Sequence, residues 1–102
     1  MGLTDLPVRI REKILLFRGC WIWAGARTKG YGDIKWFGAA RKAHRLIYEL
    51  LRPEFDERLK LDHLCGNKHC VNPDHLEPVT HAENIRRSFS RKKKLTQPKR
   101  AR

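Results

Sequence analysis

The chain has 102 residues, of which 40% are hydrophobic and 33% are charged, and this balance is typical of one small globular domain rather than of a disordered protein. No apolar run is long enough to cross a bilayer, and charged residues interrupt the start of the chain where a signal peptide would be apolar, so we expect a cytoplasmic protein. In that reducing compartment, an odd count of 3 cysteines favours metal binding or burial over disulfide bonds.

The first half of the chain predicts two helices with a small sheet between them. Residues 5–18, "DLPVRIREKILLFR", have apolar residues at helical spacing, which predicts a helix that ends at Gly19. Residues 20–43 place aromatic and β-branched side chains between glycine-containing turns, which predicts a meander of two or three strands. The segment "AHRLIYELLR" has a clean apolar stripe and predicts a helix that stops at Pro53.

The second half predicts two strands and a last helix. "LKLDH" and "LEPV" are short strand patterns separated by a long turn rich in glycine and asparagine. Thr80, with Glu83 three residues later, predicts the capped start of a helix. We therefore expect one α+β domain over residues 1–90, built from a small antiparallel meander and helices. Its core hairpin and helix would occupy about residues 59–90, followed by a disordered basic tail over residues 91–102.

The net charge of +12 is concentrated at the C-terminal end, where residues 86–102 hold nine lysines or arginines and no acid. A basic run of this kind favours a polyanionic partner, and we expect nucleic acid and no membrane. The alternative is a solubilising end that binds nothing. The candidate contacts with DNA phosphates in this region are Arg86, Arg87, Arg91, Lys92, Lys93 and Lys94.

The three cysteines and one histidine predict a structural zinc site. Cys65 and Cys70 flank a compact loop, His75 follows at the same spacing, and Cys20 is the remaining thiol. Three cysteines and one histidine are a common structural zinc set, and such a site would attach the first strand to the loop. His69 is an alternative fourth ligand, although its position beside Cys70 would demand a tight backbone. The alternative is that the cysteines are buried and bind no metal.

A second group of polar residues flanks the cysteines. Asp62 and the side-chain oxygen of Asn84 suit Mg²⁺ or Mn²⁺, which take oxygen ligands and need only one or two from protein. His63 is partly neutral at pH 7 and can accept a proton from water. Such trios are common by chance, and adjacent strand residues point to opposite faces, so these residues alone leave the catalytic site open. His81 is an alternative to Asn84 as a metal ligand.

The stretch "LDHLCGNKHCVNPDHLEPVTHAEN" resembles the ββα-metal motif of HNH endonucleases, and "CWIWAGARTKGYGDIKWFG" and "AHRLIYELL" resemble small phage-borne HNH proteins. The cysteine arrangement resembles that of the His-Cys box homing endonucleases of the same superfamily. The resemblance covers about residues 20–88. It implies a general base at His63, a metal ligand at Asn84, and zinc ligands at Cys65, Cys70 and His75, with Cys20 as the upstream zinc ligand.

The resemblance implies a metal-dependent endonuclease that nicks or cuts double-stranded DNA, with one Mg²⁺ or Mn²⁺ held by Asp62 and Asn84. It also implies an arginine at the scissile phosphate, for which Arg41 and Arg45 are both candidates. The protein would act as a monomer or a homodimer, in the host cytoplasm if it is phage-encoded. Family context adds phage DNA packaging beside a terminase, or homing, as biological settings.

One position departs from the HNH pattern, which has an asparagine before a leucine where this chain has His75 before Leu76. On zinc, His75 would not brace the loop by hydrogen bonds as that asparagine does, and we expect zinc to replace the bracing. Two rival functions remain open. A non-catalytic, zinc-stabilised DNA-binding protein would have no use for the trio of Asp62, His63 and Asn84. An RNase would use the same chemistry on another substrate.

Overall fold

The computed structural model describes the backbone of residues 2–100 and the side chains of residues 2–90. Its first element is a 3-10 turn at Leu3–Asp5, followed by the short helix α1 at Val8–Arg11. Strands β1 (Ile14–Phe17) and β2 (Cys20–Trp23) then form an antiparallel hairpin in which Ile14 lies opposite Trp23.

The predicted helix over residues 5–18 is therefore wrong beyond Arg11. Arg18 and Gly19 both have positive φ, at 50° and 82°, and they form a tight two-residue turn instead of a helix end. Positive φ at both central residues matches the right-handed twist of paired strands, so this turn favours a hairpin. The short apolar run "ILLF" suits a strand as well as a helix, and its pairing with β2 decides between them.

The predicted meander is present and has three strands. β3 (Arg27–Thr28), β4 (Tyr31–Trp36) and β5 (Ala39–Lys42) are antiparallel and lie in the order β3-β4-β5. Their two connections are again tight turns with positive φ, at Lys29-Gly30 and Phe37-Gly38. The strand that contains Cys20 pairs with β1 and so lies outside this sheet.

The main core forms where helix α2 (Ala43–Leu51) packs against the N-terminal helix and the strands, as its apolar stripe predicts. The centre of this core is Trp23, which is fully buried. A Cβ on Gly32 would lie 2.5 Å from Cδ1 of Trp23, so β4 needs glycine there to approach the indole. The buried members of the core are Leu6, Ile10, Trp23, Ala43, Leu46, Ile47, Leu51 and Val71.

The C-terminal part is a strand–loop–strand hairpin followed by a helix, as predicted. β6 (Lys60–His63) pairs antiparallel with β7 (Leu76–Val79), and helix α3 (His81–Arg100) follows. The hydroxyl of Thr80 accepts a 3.1 Å hydrogen bond from the backbone N–H of Glu83, which caps α3. The fold is α+β. The backbone of α3 continues to Arg100, into the segment 91–102 for which a disordered tail was predicted. The side chains of residues 91–100 and all of residues 101–102 lie outside the described residues, and the disordered tail stays a prediction.

The long loop between β6 and β7 is attached to the N-terminal hairpin by backbone hydrogen bonds. The N–H of Trp23 donates to the carbonyl of His69 at 2.9 Å, and the N–H of Val71 donates to the carbonyl of Trp21 at 2.8 Å. The loop thus continues the pairing of β2 on the side away from β1. Among the described residues, no helix is long and apolar enough to cross a membrane.

Candidate metal centre and active site

The four predicted zinc ligands come together from distant parts of the chain. Their ligand atoms all lie within 4.8 Å of one another, and the residues are Cys20, Cys65, Cys70 and His75. Cys20 is the first residue of β2, directly after the tight turn of the N-terminal hairpin. His75 ends a 3-10 turn, Pro73–His75, that directs its ring toward the thiols. Of the two histidines considered for the fourth ligand, the cluster contains His75 and not His69.

The distances within this cluster suit a tetrahedral ion. Nδ1 of His75 lies 3.6 Å from the Sγ of Cys20 and 3.5 Å from the Sγ of Cys70. With Zn–S near 2.3 Å and Zn–N near 2.1 Å, tetrahedral angles separate sulfur and nitrogen by about 3.6 Å. These two distances match tetrahedral zinc with Nδ1 as the ligand atom of His75, and all four ligand atoms lie within 4.8 Å of one another.

The chemistry of the donor atoms in the cluster suits a bound metal ion. Burial raises the pKa of the Cys70 thiol to about 12, so this thiol by itself is protonated at neutral pH. A metal ion reverses that preference because it binds and stabilises the thiolate directly. Three thiols and an imidazole gathered around one point are a donor set that a soft or borderline ion such as zinc satisfies.

Asn72 braces the loop that carries these ligands. Its amide Nδ2 donates a 2.8 Å hydrogen bond to the carbonyl of Gly19, and its Oδ1 accepts a 2.9 Å hydrogen bond from the N–H of Asp74. We expected zinc to replace the bracing by hydrogen bonds, but an asparagine three residues before His75 supplies two such bonds. The sequence feature that indicates this role of Asn72 is the pair Asn72-Pro73, which is a typical start for a short helical turn.

Asp62 and His63 are the last two residues of β6, and both side chains are buried, with 3% and 7% exposure. They face different surroundings, as neighbouring strand residues do. Nε2 of His63 lies 3.1 Å from the carbonyl oxygen of Cys70, inside the loop. Because a carbonyl can only accept, Nε2 carries the hydrogen in this contact, and Nδ1 is left as the basic nitrogen.

Two further aromatic rings line the His63 imidazole. The ring of His44, from the start of α2, is centred 4.8 Å from that of His63, and the ring of Tyr31, from β4, is centred 5.8 Å away. Burial, together with the positive charge that His63 can carry, lowers the pKa of His44 to about 3. His44 is therefore neutral at physiological pH, and it contacts His63 as an uncharged ring. Neither ring is recognisable as part of the site from the sequence, because only the fold brings β4, α2 and β6 together.

Asp62 faces helix α3, where Arg87 binds three carboxylates at once. The Nη1 of Arg87 lies 2.9 Å from Asp62 and 2.6 Å from Glu77, and its Nε lies 2.7 Å from Glu83. Arg86 and Arg87 together lower the pKa of Glu83 to about 2, and the three carboxylates raise the pKa of Arg87. The structure thus turns Arg87, a predicted phosphate contact, toward Asp62.

The remaining predicted residues lie around these two groups. Asn84 is half-buried in the first turns of α3, and His81 is exposed at its start. Arg41 forms a 2.8 Å ion pair with Glu49, while Arg45 donates to the carbonyl of Leu59 at 2.9 Å. Arg86 pairs with Glu83 at 2.6 Å and is largely exposed. The side chains of Arg91, Lys92, Lys93 and Lys94 lie outside the described residues.

The class of protein follows from three structural features, which are the hairpin β6–β7, helix α3 and the cysteine–histidine cluster. It is a small α+β domain in which two strands and a helix surround candidate metal ligands. Residues 41–86 match the HNH endonuclease family, which confirms the resemblance that the sequence motifs indicate. This segment contains Asp62, His63, Asn84 and the loop cysteines, whereas Cys20 lies outside it and joins the cluster through the fold.

Comparison with characterised proteins adds one relative. Protein 2.8 of Escherichia phage T7 is 37% identical to this chain over an alignment of 86 positions, and the alignment covers 76% of this chain and 58% of that protein. The chain therefore spans only 58% of the length of this relative. No solved structure matches the chain.

Proposed function

We propose that the protein is a metal-dependent DNA endonuclease with His63 as its general base. The observation that carries the proposal is the 3.1 Å contact between Nε2 of His63 and the carbonyl of Cys70. This contact orients the buried imidazole and puts the hydrogen on Nε2, so in the neutral ring Nδ1 is the nitrogen that can take up a proton. The match of residues 41–86 to the HNH endonuclease family supports the same chemistry.

In the proposed reaction, Nδ1 of His63 takes a proton from water as the water oxygen attacks the scissile phosphorus. The bond from phosphorus to the 3′ oxygen then breaks, and that oxygen leaves with the electron pair. Asp62 and Asn84 would hold one Mg²⁺ or Mn²⁺, which supplies positive charge for the phosphate and the leaving oxygen when bound. Asp62 and Asn84 supply a carboxylate and an amide oxygen, the donor chemistry that such hard cations prefer.

The other proposed assignments follow from charge and position. Cys20, Cys65, Cys70 and His75 would hold a structural zinc, and the basic C-terminal region would contact the phosphates of double-stranded DNA. Either Arg41 or Arg45 would support the scissile phosphate. We propose a monomer or homodimer that acts in the cytoplasm, with DNA packaging beside a terminase as one setting.

Plasmid cleavage tests the proposal. With Mg²⁺ or Mn²⁺, the wild-type protein should nick or linearise supercoiled plasmid, and His63→Ala should not. His69→Ala is the matched control, because it removes a histidine of the same loop that lies outside both ligand groups. Equal cleavage by wild type and His63→Ala would refute His63 as the base, and a parallel RNA substrate would identify an RNase.

The rival function is DNA binding without cleavage. One observation favours it: Arg87 already satisfies the carboxylate of Asp62, as expected of a purely structural ion pair. This rival predicts a gel shift on DNA but intact plasmid under every divalent cation. The plasmid assay therefore separates the two functions, provided that a gel shift shows the protein to be active in binding.

A further inference from the structure

The carboxylates of Asp62 and Glu77 lie directly opposite each other on β6 and β7. Like charges at opposite positions of an antiparallel pair repel, and the repulsion is stronger here because Asp62 is only 3% exposed. The Nη1 group of Arg87 lies within hydrogen-bond distance of both carboxylates, at 2.9 Å and 2.6 Å. Arg87 therefore neutralises a pair of acids that would otherwise destabilise the hairpin.

The same contact has a second consequence for the carboxylate of Asp62. A guanidinium that donates to this oxygen and a divalent cation that binds it would place like charges within a few ångströms of each other. Two cations this close repel strongly in a buried setting, where water screens little. The two cations therefore compete for the charge of Asp62, and binding of one weakens binding of the other.

The other contacts of Arg87 allow its guanidinium to move away from Asp62. Its Nε is held separately by Glu83 at 2.7 Å, and its contact with Glu77 uses the same Nη1 that reaches Asp62. The guanidinium can thus lose Asp62 and keep two carboxylate partners, both far more exposed than Asp62, at 30% and 46% of the side chain. Asp62, in contrast, has little access to water as a replacement partner.

We propose that Arg87 is a resident counter-ion of Asp62 that competes with the divalent cation and moves onto Glu77 and Glu83 when the cation binds. This inference rests on the proposed function, because it takes Asp62 as a ligand of the catalytic cation. Arg87 then acts as a positioning and regulatory residue that keeps the cation-free protein folded and weakens its affinity for the metal.

The test is direct measurement of Mn²⁺ binding to the full, zinc-loaded chain by electron paramagnetic resonance or calorimetry, without DNA. Arg87→Met should bind Mn²⁺ about tenfold more tightly than wild type, within the usual range of coupling between sites. Arg86→Met is the matched control, because Arg86 pairs with Glu83 alone at 2.6 Å and should leave the affinity unchanged. Equal or weaker binding by Arg87→Met would overturn the proposal.

Two additional variants keep the test decisive. If Arg87→Met does not fold without metal, Arg87→Gln removes the charge but keeps hydrogen-bond donors for the carboxylates, and should still bind Mn²⁺ more tightly than wild type. Asp62→Asn should abolish the gain in the double variant with Arg87→Met. If the gain persists there, the cation does not use Asp62 and the proposal falls.

Failure of this inference is distinguishable from failure of the proposed function. Plasmid cleavage by wild type, with no tightening in Arg87→Met, rejects only the role of Arg87. Tightening of Mn²⁺ binding with no cleavage of plasmid rejects the nuclease and leaves the competition at Asp62 in place.

Discussion

Replacement of Cys20 should cost far more stability than replacement of Cys65, although both residues contribute one thiol to the same cluster. Cys20 is 55 residues from His75 along the chain, so a bond from its thiol to a zinc ion would close a long loop through the middle of the chain. Cys65 lies in the same short loop as Cys70 and His75, which are themselves only 5 residues apart. The two thiols therefore constrain the unfolded chain to very different extents.

The expected magnitudes follow from the entropy of loop closure. A cross-link that closes n residues removes about 2.1 + 1.5R ln n cal/mol/K from the unfolded chain. For the 55-residue separation of Cys20, this is about 4 kcal/mol at 25 °C. For a separation of 5 residues, it is about 2 kcal/mol. Since small domains have total stabilities of about 5–15 kcal/mol, loss of the cross-link through Cys20 would remove a large part of the free energy of unfolding.

The assay is urea unfolding of wild type, Cys20→Ser and Cys65→Ser in excess zinc, with the zinc content of each protein measured beforehand. We expect a loss of about 4 kcal/mol for Cys20→Ser and about 2 kcal/mol for Cys65→Ser, while both variants retain zinc. A chelator should destabilise wild type more than either variant. Equal losses in the two variants, or a wild type that the chelator leaves unchanged, would refute this reasoning.

Three other outcomes can be measured. Gly32→Ala places a methyl group 2.5 Å from Cδ1 of Trp23 and should lower the free energy of unfolding by about 1–3 kcal/mol in a urea titration. Thr80→Ala removes the cap of α3 and should cost about 1 kcal/mol by the same measurement, whereas Thr80→Ser should cost little. The pKa of His44 is lowered from 6.5 to about 3, so between these values the unfolded state binds a proton that the folded state does not. Stability should therefore fall as the pH falls below 6.5, and His44→Phe should flatten this decline; an unchanged pH dependence would contradict the burial argument.

Much of the fold could be predicted because its signals are local. Helix α2 is bounded by Pro53 and has an uninterrupted apolar stripe, and the start of α3 has its cap in Thr80. The segment Ile14–Phe17 was misread because a run of four apolar residues suits either period. Its partner strand and the positive φ at Arg18, which no residue pattern announces for an arginine, decide its structure.

The candidate sites also combine features that the sequence predicts with features that arise only from the fold. The spacing of Cys65, Cys70 and His75 points to one cluster, because residues so close in the chain have few ways to avoid one another. The hydrogen bonds of Asn72 and the position of His44 beside His63 arise only when distant elements pack, so the sequence analysis missed them. The sequence predicts Arg87 as a contact with DNA phosphates, although its spacing of four from Glu83 on a helix is also a sign of an ion pair.

Cys70 contacts both candidate sites, one through its side chain and the other through its backbone. Its sulfur belongs to the cysteine–histidine cluster, and its carbonyl oxygen accepts from the ring of His63. A thiol-reactive probe or an oxidant that disrupts the cluster therefore also disturbs the backbone on which the imidazole depends. In the proposed enzyme, oxidation of the cluster sulfurs would displace the Cys70 carbonyl that orients the His63 imidazole. Oxidative damage at the cluster would therefore also stop His63 from acting as a base.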